Sequence, residues 1–129
     1  MLEKYVVEGK FGTLINCIDG RTQLPAIRWI KENYSLDYVD NITEPGPDKL
    51  VSEGKTELLK PKIDISIKLH GSKLVVVSGH HGCAGNPISK EEHLSQIRKS
   101  IAVIKSLELH VEVIGIWIND KWEIEPVTE

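Results

Sequence analysis

The sequence is poor in cysteine. Only Cys17 and Cys83 occur among its 129 residues, too few for the disulfide framework of a small secreted scaffold. There is no Cys-x-x-Cys pair, which argues against a thiol redox protein working through Cys17 and Cys83. Positive charge is not in excess: 16 Lys and Arg stand against 19 Asp and Glu, a net charge of -3, so no nucleic-acid footprint is expected. No apolar run is long enough to span a bilayer, and Met1 to Tyr5 lacks the apolar core of a signal peptide. A cytoplasmic protein with no membrane partner is the expectation. There are no internal repeats and no low-complexity tract. With 40% apolar and 27% charged residues, the composition is that of an ordinary globular chain, long enough for one domain with a proper core. A single α/β domain over residues 1–129 is expected, with residues 1–11 as an N-terminal arm.

What the chain does have is the stretch Lys73-Leu74-Val75-Val76-Val77-Ser78-Gly79-His80-His81-Gly82-Cys83. A β-branched apolar run that stops at a glycine reads as a buried strand ending in a tight turn. It delivers His80 and Cys83, both good ligands for a borderline metal such as zinc. The other cysteine ends a second apolar run, Gly12-Thr13-Leu14-Ile15-Asn16, and is followed by Ile18-Asp19-Gly20-Arg21. Two strand ends, each presenting a thiol, make one plausible site. In a reducing compartment, free thiols serve more often as ligands or catalytic groups than as bridges.

The other elements follow from periodicity. Lys4 to Lys10 reads as a weak strand or arm. Leu24, Ile27, Ile30 and Tyr34 recur at helical spacing, with Pro25 in the first turn, where its missing N–H costs nothing. Tyr38 to Ile42 reads as a short strand, Thr43 to Asp48 as a loop, and Pro47 to Glu53 as a short helix. Lys62 to His70 is ambiguous. Ile63, Ile65, Ile67 and Leu69 alternate as in a strand, but Thr56, Leu58, Leu59, Ile63 and Ile67 fit a helix ending at Gly71, and helix is the choice made here. Ser89-Lys90-Glu91-Glu92 is a capping box, opening a helix with Leu94, Ile97, Ile101 and Ile104 on one face. Val111 to Ile118 is the last long strand, and Trp122 to Val127 a short strand or extension. This alternation implies a mostly parallel sheet of about four to five strands flanked by helices. Ligands in such sheets sit at the carboxyl ends of strands, where Cys17, Asp19, His80 and Cys83 all fall.

Cys17-Ile18-Asp19-Gly20-Arg21 resembles the Cys-x-Asp-Ser-Arg motif of β-class carbonic anhydrases. Gly79-His80-His81-Gly82-Cys83 resembles their Gly-His-x-x-Cys motif, in the same order and at a strand end, and Val113 to Asp120 resembles their last core strand. The resemblance implies a short, divergent member with the β-carbonic anhydrase fold. It implies zinc held by Cys17, His80 and Cys83, with Asp19 and Arg21 as the dyad beside it. The implied reaction is the reversible hydration of carbon dioxide to bicarbonate by zinc-bound hydroxide. Asp19 would orient the zinc-bound water, or else swing onto zinc as a fourth ligand, and Arg21 would hold it ionised and in place. The chain departs from the family at Gly20, where serine is usual, and at Gly82. It also has no matching glutamine ahead of Cys17, in a segment shorter than the family's. The family completes its pocket across subunits, which implies a homodimer or higher homo-oligomer.

Two other readings of the same motifs stand beside this one. One is a non-catalytic zinc-binding or sensing module, with Asp19 closing the shell. The other is a hydrolase of a related small molecule, carbonyl sulfide or carbon disulfide. His81 could shuttle protons or simply face solvent. His93 is expected on the surface, and His70 and His110 are expected to be structural or exposed. Trp29, Trp117 and Trp122 are expected in the core or at an interface. Gly79, Gly82 and Gly85 lack the lysine of a phosphate-binding loop, so their expected role is to let the backbone turn tightly around the ligands.

Overall fold

The computed structural model describes residues 7–129. Five strands, β1 (Phe11–Cys17), β2 (Tyr38–Glu44), β3 (Leu74–His80), β4 (Glu112–Ile118) and β5 (Ile124–Val127), alternate with four helices, α1 (Gln23–Tyr34), α2 (Pro47–Ser52), α3 (Lys60–Asp64) and α4 (Lys90–Lys105). The strands form one sheet in the order β2-β1-β3-β4-β5. β1 runs parallel to β2 and β3, and β3 parallel to β4; β5 alone is antiparallel, against β4. This is the mostly parallel α/β sheet expected from the alternation of strand and helix signals. Of the expected N-terminal arm, residues 1–6 lie outside the described residues, Val7 to Lys10 carry no helix or strand, and Phe11 already belongs to β1.

Strand alternation sends the sheet's side chains to two layers. Ile15, Val75 and Val77 pack with Val51, Ile63, Ile97, Ile101 and Ile104, on the side of α2, α3 and α4. Leu14, Leu74, Val76, Ile116 and Ile118 pack with Ala26 and Ile30 of α1 on the other. β3 is buried at all seven positions, which is why its first four residues are a continuous run of Leu and Val rather than alternating. Each fully buried side chain of this size contributes about 1.5–3 kcal/mol. α4 starts at the expected capping box: the Ser89 side chain accepts from the Glu92 N–H, and Glu92 reaches back to the Ser89 N–H.

Three local expectations need adjusting. β2 continues past Ile42, because Thr43 and Glu44 still pair with Asn16 and Cys17, and Pro45 is what ends it. The ambiguous segment is helical as chosen, but α3 is short and passes into a wide π turn, Ile65–Leu69, which ends before Gly71 at φ 73°. That turn leaves Ile65 half exposed and turns Ser66 inwards, where its hydroxyl meets Thr13 Oγ1 at 2.6 Å. His93 is not on the surface. It is 1% exposed, because it lies one turn before Ile97 on the inward face of α4, and its Nδ1 lies 2.5 Å from Oδ2 of the equally buried Asp48.

Candidate metal centre

Parallel pairing puts the carboxyl ends of β1 and β3 side by side, with Thr13 opposite Val75 and Ile15 opposite Val77. Cys17, the last residue of β1, and His80, the last of β3, therefore arrive at the same edge. The tight turn after β3 brings Cys83 back to them. The sulfurs of Cys17 and Cys83 are 3.9 Å apart. Ligand atoms of Cys17, His80 and Cys83 all lie within 4.8 Å of one another, and all three residues are buried.

Whether this group suits a metal ion is decided at His80. Its Nδ1 lies 2.8 Å from the His81 carbonyl oxygen, to which it donates. That fixes the tautomer and leaves Nε2 as the basic nitrogen, the arrangement a ligating histidine needs. Nε2 is buried and has no hydrogen-bond partner among the described residues. A buried polar atom without a partner is costly, and a cation between it and the sulfurs would satisfy it. The donor set of two sulfurs and one imidazole is the borderline-soft type that suits zinc-like ions.

The protonation of the thiols agrees. Burial alone would raise the Cys17 thiol, but the His80 ring and the backbone N–H groups of Asp19 and Gly46 outweigh it and lower it to about 7. Burial and the Cys17 charge push Cys83 up to about 11. Burial works against a charged His80, but Cys17 and the His81 carbonyl raise its pKa all the same. An incoming cation would favour the thiolates and displace their protons.

Asp19 and Arg21 flank the group without joining it. Asp19 caps a short 3-10 turn, Gly20–Thr22, its carboxylate accepting from the Arg21 N–H. The Arg21 side chain then closes back on it: Nε donates to Oδ1 at 3.0 Å and Nη2 to Oδ2 at 2.7 Å. This two-pronged pairing holds the Asp19 carboxyl down to about 2. Nη2 also donates to the Gly82 carbonyl at 3.2 Å, which ties the turn after β1 to the turn after β3. Asp19 is not among the residues whose ligand atoms cluster. Gln23 braces the end of β1 by donating to the Cys17 carbonyl at 2.8 Å.

One residue beside the centre is not legible as such in the sequence. Trp122 has its ring centroid 4.6 Å from Arg21 Cζ and 6.4 Å from the His80 ring. It gets there from a tight turn in which Asn119 Oδ1 accepts from the Lys121 and Glu123 N–H groups. Its expected place was the core or an interface, and no motif marks that turn.

A family model described as "Putative carbonic anhydrase" matches residues 7–128. The chain belongs to this carbonic anhydrase family. Its fold is that of solved β-carbonic anhydrases. It is similar to β-carbonic anhydrase isoform I of Trichomonas vaginalis, with a TM-score of 0.64 at 12% identity over 95% of this chain and 85% of that one. A carbonic anhydrase from Glaciozyma antarctica gives 0.60 at 15% identity over 89% and 80%. One from a crystallographic study of two tetrameric β-carbonic anhydrases of Sordaria macrospora gives 0.59 at 12% over 93% and 82%. No curated protein matches the sequence. Among the described residues of this carbonic anhydrase family member, no helix is long and apolar enough to cross a membrane.

Proposed function

We propose that the protein is a zinc-dependent carbonic anhydrase that hydrates carbon dioxide reversibly to bicarbonate, with Cys17, His80 and Cys83 as the zinc ligands. The observation that carries this reading is the buried, unpartnered Nε2 of His80 beside two free thiols. Three protein ligands leave one position of a tetrahedral ion open, as catalytic sites do and structural sites do not. When bound, zinc supplies a Lewis acid that makes water a nucleophile near neutral pH.

The chain's own residues do the rest. Asp19 keeps its carboxylate against Arg21, ionised. That carboxylate accepts a hydrogen bond from the attacking water and orients it. Arg21 anchors that carboxylate from Gly82 and Trp122. Water adds to carbon dioxide, one C–O bond forms, and bicarbonate and one proton leave. His81, exposed beside His80 in the chain, passes the proton to solvent.

The active form is a homo-oligomer. Ile18, next to Cys17, and Leu24, at the start of α1, are 66% and 70% exposed, apolar surface beside the centre that a second copy would cover. α1 is also the one helix packed on its side of the sheet among the described residues. A reducing compartment such as the cytoplasm keeps both thiols available.

The deciding experiment is metal analysis together with stopped-flow carbon dioxide hydration on one preparation. Stoichiometric zinc with hydration is expected. Zinc with no hydration, but turnover of carbonyl sulfide or carbon disulfide, moves the assignment to that hydrolase; zinc with neither leaves a non-catalytic zinc module. Stoichiometric zinc in a Cys17→Ser, Cys83→Ser double variant overturns the ligand assignment.

A further inference from the structure

Beneath the two thiols lies a cluster of buried polar side chains that the proposed reaction does not use. Asp48 is 0% exposed, His93 1% and Asn86 2%. A buried carboxylate is tolerated when its oxygens are satisfied, and here each has a donor. Oδ1 accepts from Asn86 Nδ2 at 3.0 Å, and Oδ2 accepts from His93 Nδ1. Asn86 Nδ2 also donates to Gln96 Oε1 at 2.8 Å, and Ser100 Oγ donates to the Asp48 carbonyl at 3.1 Å. Asp48 thus joins α2, α4 and the loop that follows Cys83. β3 closes the remaining side. A Cβ on Gly79 would stand 2.6 Å from Asp48 Oδ2, so only glycine at the position before His80 lets the carboxylate sit there.

The segments this cluster holds include those that carry the ligands His80 and Cys83. The Asn86 N–H donates to the Cys83 carbonyl at 3.3 Å, which closes the loop that carries Cys83 onto Asn86, and Gly79, against which Asp48 lies, is the residue before His80. Gly46 and Gly85 pack backbone against backbone: a Cβ on Gly46 would lie 3.0 Å from the Gly85 oxygen, and one on Gly85 3.1 Å from the Gly46 nitrogen. Gly46 leads into α2 two residues before Asp48. The loop that carries Cys83 and the loop that leads into α2 are therefore fastened to each other, through this packing and through Asp48 and Asn86.

We propose that Asp48 and Asn86 are positioning residues for the metal centre, holding the loop that carries Cys83 against the end of β3 that carries His80 and so setting metal affinity without touching the metal. This rests on the metal-site reading above. Partners of this kind fix a ligand's direction and tune its charge, and their loss typically costs about 10–100-fold in metal affinity. A thiolate whose direction towards the metal changes also alters the colour of a thiolate-bound cobalt ion, as well as the affinity for zinc.

The test uses the full chain, with zinc affinity measured by chelator competition and the sulfur-to-cobalt charge-transfer band read in the cobalt-loaded protein. Asn86→Ala and Asp48→Asn should each weaken zinc binding about 10–100-fold and shift that band, with helix content retained. His70→Ala is the control. It breaks another half-buried carboxylate–histidine pair, with Asp40 at 2.6 Å, four residues along β1's register from Cys17, and should change neither readout. Should Asp48→Asn fail to fold, Asn86→Ala decides alone, because it leaves Asp48 its His93 partner. Wild-type affinity and an unshifted band in the folded variants, or an equal loss in His70→Ala, overturn the proposal. A wild-type protein that takes up neither zinc nor cobalt overturns the metal-site reading, and this proposal with it.

Discussion

Trp122 lies over Arg21, ring centroid to guanidinium carbon 4.6 Å, from a left-handed backbone at φ 60°. That conformation costs a residue with a Cβ roughly 1–2 kcal/mol. A stacked guanidinium returns about 0.5–1 kcal/mol at an exposed site, so the stack alone does not offset the strain. The packing of the indole against the α1 layer adds to it, and the turn that aims the ring is held by Asn119.

Replacing Trp122 therefore separates strain from function. Trp122→Gly should be more stable than Trp122→Ala by about 1 kcal/mol, since glycine adopts this φ freely. Both should lower carbon dioxide hydration several-fold, because Arg21 loses one of its anchors. Chemical denaturation and stopped-flow hydration on the two variants check this. Wild-type rates in both would remove Trp122 from the positioning of Arg21.

Asp19→Ala should retain zinc, since three ligands remain, and lower hydration by about 10²–10⁴-fold, the usual contribution of a positioned acid–base group. Arg21→Ala should also lower hydration, by freeing the carboxylate to capture the open position. The double variant should lose less than the product of the single losses, because both residues act through one water. Zinc affinity and rate on the four proteins decide it. Weakened zinc binding in Asp19→Ala would make Asp19 a ligand instead.

Removing zinc should lower the melting temperature. Binding to the folded state stabilises it by about 4 kcal/mol when free metal is 1,000 times the Kd. Cys83→Ser should show the same low melting temperature with or without added zinc. Calorimetry with and without a chelator is the measurement, and a melting temperature in Cys83→Ser that still responds to zinc would count against Cys83.

His93→Ala should destabilise the metal-free protein strongly. It leaves Asp48 Oδ2 without its donor in a fully buried position. Leaving a buried acceptor without its donor costs roughly 1–3 kcal/mol, and more for a charged one. Urea denaturation reads this, and a loss below about 1 kcal/mol, the scale of an exposed pair, would show that the burial is relieved by rearrangement.

Ile18→Lys and Leu24→Lys should shift the protein towards monomer without unfolding it. Both side chains are largely exposed in the single chain, so the substitutions touch little of its core. Sedimentation velocity at micromolar concentration is the check, and a wild type that is already monomeric would dispose of the oligomer.

Much of this architecture is legible in the sequence because it follows local rules. The β3 run ends at Gly79 and hands over His80 and Cys83, and the capping box starts α4 at Ser89. What escapes depends on partners distant in the chain. His93 looks like a surface residue beside Leu94, yet Ile97, Ile101 and Ile104 continue a stripe in which it is the first member. Only Asp48, 45 positions away, explains a buried imidazole there. The alternation from Ile63 to Leu69 imitates a strand because a π turn rotates Ser66 inwards to Thr13. Trp122 is hidden for a third reason: its direction is set by a left-handed turn that many sequences could form.

Cys17 and His80 reach the centre from opposite faces of the sheet. Cys17 continues the Thr13–Ile15 side towards α4, and His80 continues the Val76–Ser78 side towards α1. A cation shared by them would work as a rivet through the sheet's carboxyl edge, clamping one helical layer to the other. With the rivet in, α1 and α4 can open to solvent only together. Without it each layer would be free to breathe on its own side, and slow amide exchange would split into two classes. Metal supply would then govern the lifetime of the whole molecule in the presence of proteases as well as its chemistry.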